Sequence, residues 1–194
     1  MKLTLAIDTS TARTQFAVLS GNDLKWLEIE DGATTHGDVL AKFGELASRE
    51  EIDQVIVGMG PGPFTGLRTG IIFAKSFAFA RGLPFHGICS LDAIAFDINL
   101  PEFIIATDAR RKEVYWARYE GGQRVEGPNV STPNDLTSFA HLPIFGDGAL
   151  KYNLTSDTEH LFPDLTSFPK LAESSKIDEP LYLRHPDAVP TAER

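Results

Sequence analysis

The chain has 194 residues, of which 42% are hydrophobic, so it can bury a core as one domain or as two small ones. Its formal net charge of −9 argues against a protein that holds nucleic acid by itself, because such proteins present a basic face to the phosphates. A lone cysteine, Cys89, excludes an intramolecular disulfide. Together with the lack of an apolar run long enough for a membrane span, it favours a cytoplasmic protein.

The first sixty residues indicate a hairpin, a helix and a strand. Residues 3–18 contain two apolar runs joined by a polar turn that begins at Asp8, which predicts a β-hairpin. Residues 36–49 place apolar side chains three and four positions apart, which predicts a helix. Residues 54–60 form a short β-branched run that ends in glycines and is typical of a buried strand. The order of these elements indicates an α/β layer architecture.

A glycine- and proline-rich stretch, GPGPFTGLR at residues 60–68, joins this strand to the next helix. A phosphate-binding P-loop needs a lysine and a hydroxyl residue after its last glycine, whereas Leu67 and Arg68 occupy those positions. Pro61 and Pro63 also lack the N–H groups that could point at a phosphate. The stretch therefore predicts a rigid connection rather than a phosphate loop.

The following helix is predicted over residues 66–81, with Thr65 or Gly66 as its N-cap. One face carries small and apolar residues suited to a core, at Leu67, Gly70, Ile71, Ala74 and Ala78. A second group, further round the helix, mixes apolar and basic side chains at Arg68, Ile72, Lys75 and Phe79. A surface helix needs only one apolar stripe, so we expect the second to be covered either inside this chain or by a partner.

The pattern of the first half recurs in the second half. Residues 103–118 repeat the hairpin pattern of residues 3–18, with Asp108 in the place of Asp8. Residues 142–148 are a second short run that ends in glycines. An internal repeat of this kind predicts that the chain is a duplicated α/β structure.

The repeat divides the chain into two predicted lobes, residues 1–99 and residues 100–194, with a loose tail from about residue 185. A duplicated α/β half with an aspartate at the end of its first strand resembles the actin-like, ribonuclease H-like superfamily. That superfamily includes sugar and acetate kinases and chaperone ATPases, and its two lobes face each other across a nucleotide cleft. Fold alone does not establish activity.

A more specific resemblance lies in the stretch GMGPGPFTGLRTG at residues 58–70. Further matching motifs are LAIDTS at 5–10, DAR and EVY within 108–115, GDG at 146–148 and YLR at 182–184. On these motifs, which extend over nearly the whole length, the sequence resembles the TsaB (YeaZ) family and departs from its signature only by Pro63 in place of serine. The signature positions are Gly60, Gly62, Phe64, Thr65, Gly66 and Arg68.

The resemblance implies a noncatalytic scaffold and dimerisation subunit in the synthesis of threonylcarbamoyladenosine in tRNA. It implies pairing with the paralogue TsaD, which carries a metal and transfers the threonylcarbamoyl group to the adenosine beside the anticodon. The ATPase TsaE joins the pair, and the subunit alone forms a homodimer. The subunit itself would bind no cofactor, and tRNA would be reached only indirectly, through the complex.

The residue pattern agrees with the expectation that this subunit is not catalytic. TsaD-type proteins hold their metal through two histidines four residues apart, and no two of the five histidines here have that spacing. Ser90 and Ile94 align with the lost ligands, and Ile94 cannot bind a metal.

The alternative is a small-molecule phosphotransferase of the sugar or acetate kinase type. A residual nucleotide cleft could be formed by Asp8, Thr9, Ser10, Gly146 and Gly148.

The partner surface is predicted on the two helices of the first lobe. Apolar residues placed outside a single core stripe need cover, and a large exposed apolar patch usually marks an interface. The predicted contact residues are Val39, Leu40, Phe43, Leu46, Arg68, Ile72, Lys75 and Phe79.

Overall fold

The computed structural model of the protein describes residues 2–32 and 36–184. Its first half contains β1 (Leu3–Asp8), β2 (Thr14–Ser20), β3 (Asp23–Glu30), α1 (His36–Ala47), β4 (Gln54–Gly58), α2 (Phe64–Arg81), β5 (Phe85–Ile88) and α3 (Ser90–Ala95). Its second half contains β6 (Glu102–Asp108), β7 (Val114–Glu120), β8 (Gln123–Ser131), β9 (Ile144–Phe145), α4 (Asp147–Lys151) and α5 (Phe168–Ser174). Short 3-10 helices lie at Pro133–Phe139 and Leu165–Ser167.

The two halves build sheets of the same topology. The first sheet has the strand order β3-β2-β1-β4-β5, with β1 antiparallel to β2 and parallel to β4. The second has the order β8-β7-β6-β9, with β6 antiparallel to β7 and parallel to β9. Asp8 and Asp108 each close the first strand of their sheet, as the repeat predicts. The duplicated α/β fold is therefore confirmed.

The first sheet is covered on both faces. Helices α1 and α2 pack on one face, where Leu67 and Ile71 meet Leu5, Val57 and their neighbours. On the other face Phe168 of α5 and Leu165 pack against the β1, β2 and β4 side chains. The chain after residue 164 thus returns to the first sheet, which departs from the predicted division at 99/100. The reason is that a two-faced apolar sheet needs a cover on each side, and α1 and α2 supply only one.

A buried ion pair joins the two halves. Asp92 of α3 accepts hydrogen bonds from Tyr119 of β7, at 2.8 Å, and from the Nε of Arg124 of β8, at 2.9 Å. A second contact of 3.4 Å links the Arg124 guanidinium to the other Asp92 oxygen. Only 10% of the Asp92 side chain is exposed, so this carboxylate depends on protein donors.

The helix limits differ slightly from the sequence prediction. Helix α1 ends at Ala47 rather than at residue 49, and α2 begins at Phe64 rather than at residue 66. The N-cap prediction for α2 is wrong, because Pro63 occupies that position. Proline offers no side-chain acceptor for a cap but fits the start of a helix, where an N–H is not needed. In the described part of the chain, each helix is too short or too polar to cross a membrane.

Candidate functional site

The signature stretch packs directly against the turn between β1 and β2. A Cβ atom at Gly62 would lie 2.4 Å from the carbonyl oxygen of Ser10, and one at Gly70 would lie 2.1 Å from the Thr9 Oγ1. A Cβ at Gly66 would lie 3.1 Å from the Thr9 carbonyl oxygen. The Thr9 hydroxyl also donates a 2.9 Å hydrogen bond to the Gly66 carbonyl. Glycines spaced four apart therefore let the start of α2 lie against the backbone of this turn.

The close approach at Gly70 is testable by adding one methyl group. Gly70→Ala is expected to lower the free energy of unfolding by about 1 to 3 kcal/mol, because the new methyl would overlap the buried, β-branched Thr9. Gly37→Ala in α1 is the matched control, since nothing lies within 4 Å of its Cβ position. Alanine there should be neutral or stabilising by up to about 1 kcal/mol. Equal urea midpoints for the two variants would contradict this packing.

His36, the first residue of α1, connects three elements. Its Nδ1 lies 2.6 Å from the hydroxyl of Thr14 in β2, and its Nε2 faces Gly66 of α2. Burial, with a contribution from the charge of Arg110, lowers the pKa of His36. The ring is therefore neutral near pH 7 and acts as a hydrogen-bonded spacer between the helices.

Asp8 satisfies its hydrogen bonds within the protein, both in its own turn and with Ser90 of α3. Its Oδ1 accepts from the N–H and the hydroxyl of Ser10, at 2.8 and 2.7 Å. Its Oδ2 accepts from the hydroxyl of Ser90, at 2.7 Å, and Ser90 in turn accepts from the N–H of Gly60. Burial raises the pKa of this fully enclosed carboxyl, although the hydrogen bonds oppose the rise. The cluster fastens the signature stretch and α3 to the end of β1.

The second-half members of the predicted nucleotide cleft also make close internal contacts. A Cβ at Gly146 would lie 2.3 Å from the carbonyl oxygen of Ala106, and one at Gly148 would lie 2.5 Å from the carbonyl carbon of Thr107. Both glycines therefore let the start of α4 lie against β6. The nucleotide cleft stays a prediction, and the contacts give its five residues packing and hydrogen-bonding roles.

The carboxyl of Asp147, at the start of α4, makes the stability of the fold depend on pH. Burial raises its pKa from 3.8 to about 6, with a smaller contribution from the charge of Asp108. A carboxyl whose pKa is higher in the folded state favours folding below pH 4, and this contribution is lost as the pH rises through about 6.

Asp147→Asn should therefore raise the unfolding free energy at pH 7 by on the order of 1 to 2 kcal/mol and flatten its pH dependence between about 4 and 6. Asp157→Asn is the control of opposite sign, because hydrogen bonds from the His160 and Glu159 N–H groups lower the pKa of Asp157. Loss of the Asp157 carboxylate should lower the free energy of unfolding at pH 7. Urea titrations at pH 4, 6 and 7 measure both, and parallel curves for parent and Asp147→Asn would contradict the assignment.

The structure separates the eight predicted partner contacts into buried and exposed side chains. Leu40 and Phe43 are 1% and 2% exposed and belong to the core beneath the helices, so they reach a partner only indirectly. Leu46 is 37% exposed, Ile72 50% and Phe79 89%. Val39 is half-buried, while Arg68 and Lys75 lie at the surface. The interface itself stays a prediction, and its accessible part is centred on α2.

A groove of about 640 Å³ follows this exposed face of α2. It is lined by Phe64, Thr65, Arg68, Thr69, Ile72, Phe73 and Ser76. The apolar surface continues past the signature stretch, because the ring of Tyr182 packs on that of Phe64 with centroids 5.0 Å apart. Sequence reasoning missed this contact, since no local pattern connects two aromatic residues so far apart in the chain.

The alignment of Ser90 and Ile94 with metal ligands of TsaD stays a prediction. Ser90 and Ile94 lie in α3, and Ser90 is engaged with Asp8. Within residues 2–32 and 36–184, no three histidine, cysteine, aspartate or glutamate side chains gather into a metal site. Cys89 is buried, and burial raises the pKa of its thiol to about 12. A thiol of that kind is a structural group rather than a nucleophile.

Comparison with known proteins agrees with the fold and with the signature. Residues 40–168 match the family model of the tRNA N6-adenosine threonylcarbamoyltransferase TsaD. An uncharacterised protein of Mycobacterium leprae is 38% identical over 98% of this chain and 57% of its own length. The tRNA threonylcarbamoyladenosine biosynthesis protein TsaB of Haemophilus influenzae is 32% identical over 59% of this chain and 52% of its own. This chain thus spans little more than half the length of either relative.

A solved structure extends the likeness to the whole fold. YeaZ from Pseudomonas aeruginosa superposes with a TM-score of 0.69 over 94% of this chain and 100% of its own, at 22% identity. The fold is therefore the duplicated actin-like one that the repeat predicts. The matched family model, the TsaB relative and the signature at residues 58–70 agree. The chain belongs to the family of that threonylcarbamoyltransferase model and, within it, to the TsaB (YeaZ) proteins.

Proposed function

We propose that this chain is the noncatalytic subunit that pairs with a TsaD-type partner in the synthesis of threonylcarbamoyladenosine in tRNA. The relative from Haemophilus influenzae carries that pathway in its name, and the matched family model is that of the transferase itself. The ATPase TsaE would join the pair, ATP and the metal would be bound by the partners, and the work would be done in the cytoplasm. Without TsaD the chain would form a homodimer.

The observation that carries the proposal is the exposed apolar face of α2. Phe79 is 89% exposed and Ile72 50%, although both are large apolar side chains in the middle or last turns of a long helix. Covering such a patch by a partner recovers the free energy of removing apolar surface from water. Arg68 and Lys75 flank the patch and would supply a polar rim, as is usual at protein interfaces.

The turn between β1 and β2 supports the proposal that this subunit is not catalytic. In the actin-like resemblance this turn faces the nucleotide, but here Gly62, Gly66 and Gly70 bring α2 against it. Both carboxylate oxygens of Asp8 already accept hydrogen bonds from the protein. A catalytic carboxylate must come within hydrogen-bond reach of a substrate, whereas only 1% of Asp8 is exposed.

The experiment is reconstitution of tRNA modification from purified proteins. Labelled threonine, bicarbonate, ATP, an enzyme that forms the activated threonylcarbamoyl donor from these three, and an unmodified tRNA transcript are incubated with this chain, with its TsaD and TsaE counterparts, and with the full set. We expect label in tRNA only with the full set. Label from this chain alone would overturn the noncatalytic assignment, and full activity without this chain would overturn the scaffold role.

A further inference from the structure

The turn between β6 and β7 has a backbone that ordinary residues avoid. Arg110, Arg111 and Lys112 have φ angles of 63°, 53° and 62°, so three successive non-glycine residues adopt the left-handed conformation. Each such residue places its Cβ against a neighbouring carbonyl and costs conformational energy that glycine would not. Strained backbone of this kind persists where the surroundings enforce it, and it is concentrated at functional sites. We call residues 110–112 the basic turn.

Several contacts enforce the conformation of the basic turn from beneath. The Asp108 carboxylate accepts a hydrogen bond from the Arg110 N–H, at 3.1 Å. The Ala109 N–H donates to the carbonyl of Glu113, and the Glu113 N–H donates to the carbonyl of Arg110, each at 3.0 Å. Arg184, near the end of the described chain, donates to the Ala109 carbonyl and forms an ion pair with Glu113. The turn is thus a fixed platform rather than a loose loop.

Two carboxylates beneath the platform, Asp108 and Glu113, are paired with cations from other segments. Lys151 of α4 binds Asp108 at 2.6 Å, and Arg184 neutralises Glu113. The three basic residues of the turn are exposed. The cluster therefore carries more cations than carboxylates, although the chain as a whole has a net charge of −9.

The positive charge reaches both halves of the molecule. The charge of Arg110 contributes to the lowered pKa of His36 at the start of α1, after burial, and it opposes the raised pKa of Lys151. Arg110 therefore lies close enough to influence His36 in the first half and Lys151 in the second. In the first half the corresponding turn is covered by α2, so the two turns differ in access.

The shape of the basic turn selects the kind of anion. Its three basic residues are exposed on a surface turn. A single small phosphate is typically held by N–H groups that converge on it, whereas the phosphates along a nucleic-acid backbone are contacted by exposed arginine and lysine side chains. We propose that the basic turn contacts the phosphate backbone of tRNA while the complex holds its substrate. The inference rests on the proposed function, and it replaces, for this turn, the expectation that tRNA is reached only through other subunits.

The test compares tRNA affinity at several salt concentrations for variants of the basic turn. The test variant combines Arg110→Ser with Lys112→Ser and so removes two positive charges from the turn. The matched control combines Lys170→Ser, within α5, with Lys176→Ser, just after it, and also removes two positive charges. Arg110→Lys with Lys112→Arg keeps the charge and tests whether charge is what matters. Each chain is mixed with its TsaD counterpart and titrated into a fluorescent tRNA transcript between about 50 and 200 mM KCl. Melting temperatures verify that all variants are folded.

We expect Arg110→Ser with Lys112→Ser to weaken tRNA binding about tenfold at 100 mM KCl and to reduce the slope of log affinity against log salt by about one per lost contact. The control and the charge-keeping variant should bind like the parent. An unchanged affinity and slope would overturn the proposal, as would a parent complex that does not bind tRNA. A repeat in phosphate and chloride buffers of equal ionic strength distinguishes a small-anion site, because selective inhibition by phosphate would identify free phosphate as the ligand.

Failure of this inference can be separated from failure of the proposed function. Pairing with TsaD is measured on the same samples by light scattering. If the chain pairs normally with TsaD but the turn variants bind tRNA like the parent, the scaffold role stands and the inference is rejected. If the parent does not pair, the proposed function is rejected, and the inference, which requires the complex, is rejected with it. Loss of pairing in the serine variant alone would place the turn in a protein interface and also reject the inference.

Discussion

Ile72→Glu combined with Phe79→Glu is expected to abolish pairing with a TsaD-type partner while the chain remains folded. Ile72 is half exposed and Phe79 is 89% exposed, so glutamate is tolerated at both positions in the free chain. In an apolar interface each carboxylate would have to lose its water without a partner, which costs several kcal/mol in total. We therefore expect at least a hundredfold weaker association, measured by analytical ultracentrifugation of the two-protein mixture.

The matched control introduces two glutamates elsewhere. Leu24→Glu with Val125→Glu changes two aliphatic side chains that are 47% and 46% exposed on the edge strands β3 and β8. This variant should pair like the parent. Undiminished association of the α2 variant would remove this helix face from the interface, and unfolding of that variant would place Ile72 and Phe79 in the chain's own core.

Arg124→Ala is expected to destabilise the fold far more than the loss of an arginine that binds solvent-exposed carboxylates. The change leaves Asp92 with the Tyr119 hydroxyl as a side-chain donor, although only 10% of the Asp92 side chain is exposed. Breaking a buried ion pair from one side costs about 3 kcal/mol, because the remaining charge stays out of water. A urea titration followed by tryptophan fluorescence measures the loss.

Arg118→Ala provides the comparison, because this arginine is as exposed as Arg124 but binds carboxylates that are closer to solvent. Its side chain is 23% exposed and pairs with Glu102, Glu120 and Glu126, which are 35% to 51% exposed. Water can replace Arg118 at these carboxylates, so the loss of stability should be much smaller. Equal losses for the two variants would show that the Asp92 contact has no special weight.

The repeated hairpins and the core face of α2 could be predicted from the sequence because they are local patterns. Two apolar runs joined by a polar turn identify β1 and β2, and a helical period places Leu67 and Ile71 toward the core. An aspartate at a strand end is typical of a local hydrogen bond, which Asp8 and Asp108 both form. These features depend on residues within a few positions of one another.

The remaining features depend on contacts between distant segments. The fit of Gly62, Gly66 and Gly70 against the first turn could have been suspected from their regular spacing, but their partners Thr9 and Ser10 could not. Helical periodicity placed Leu40 and Phe43 on an apolar stripe but did not indicate whether the sheet or a partner covers that stripe. In the structure both side chains pack in the core against the first sheet. The return of α5 to the first sheet has no local signal either.

Binding to a TsaD-type partner is the role that we propose for this chain. Light scattering on a sizing column, with the chain alone and then mixed with its TsaD counterpart, tests it most directly. We expect a homodimer for the chain alone and a one-to-one complex in the mixture, formed at the expense of that homodimer. Two proteins that elute unchanged, with no new species at any ratio, would contradict it.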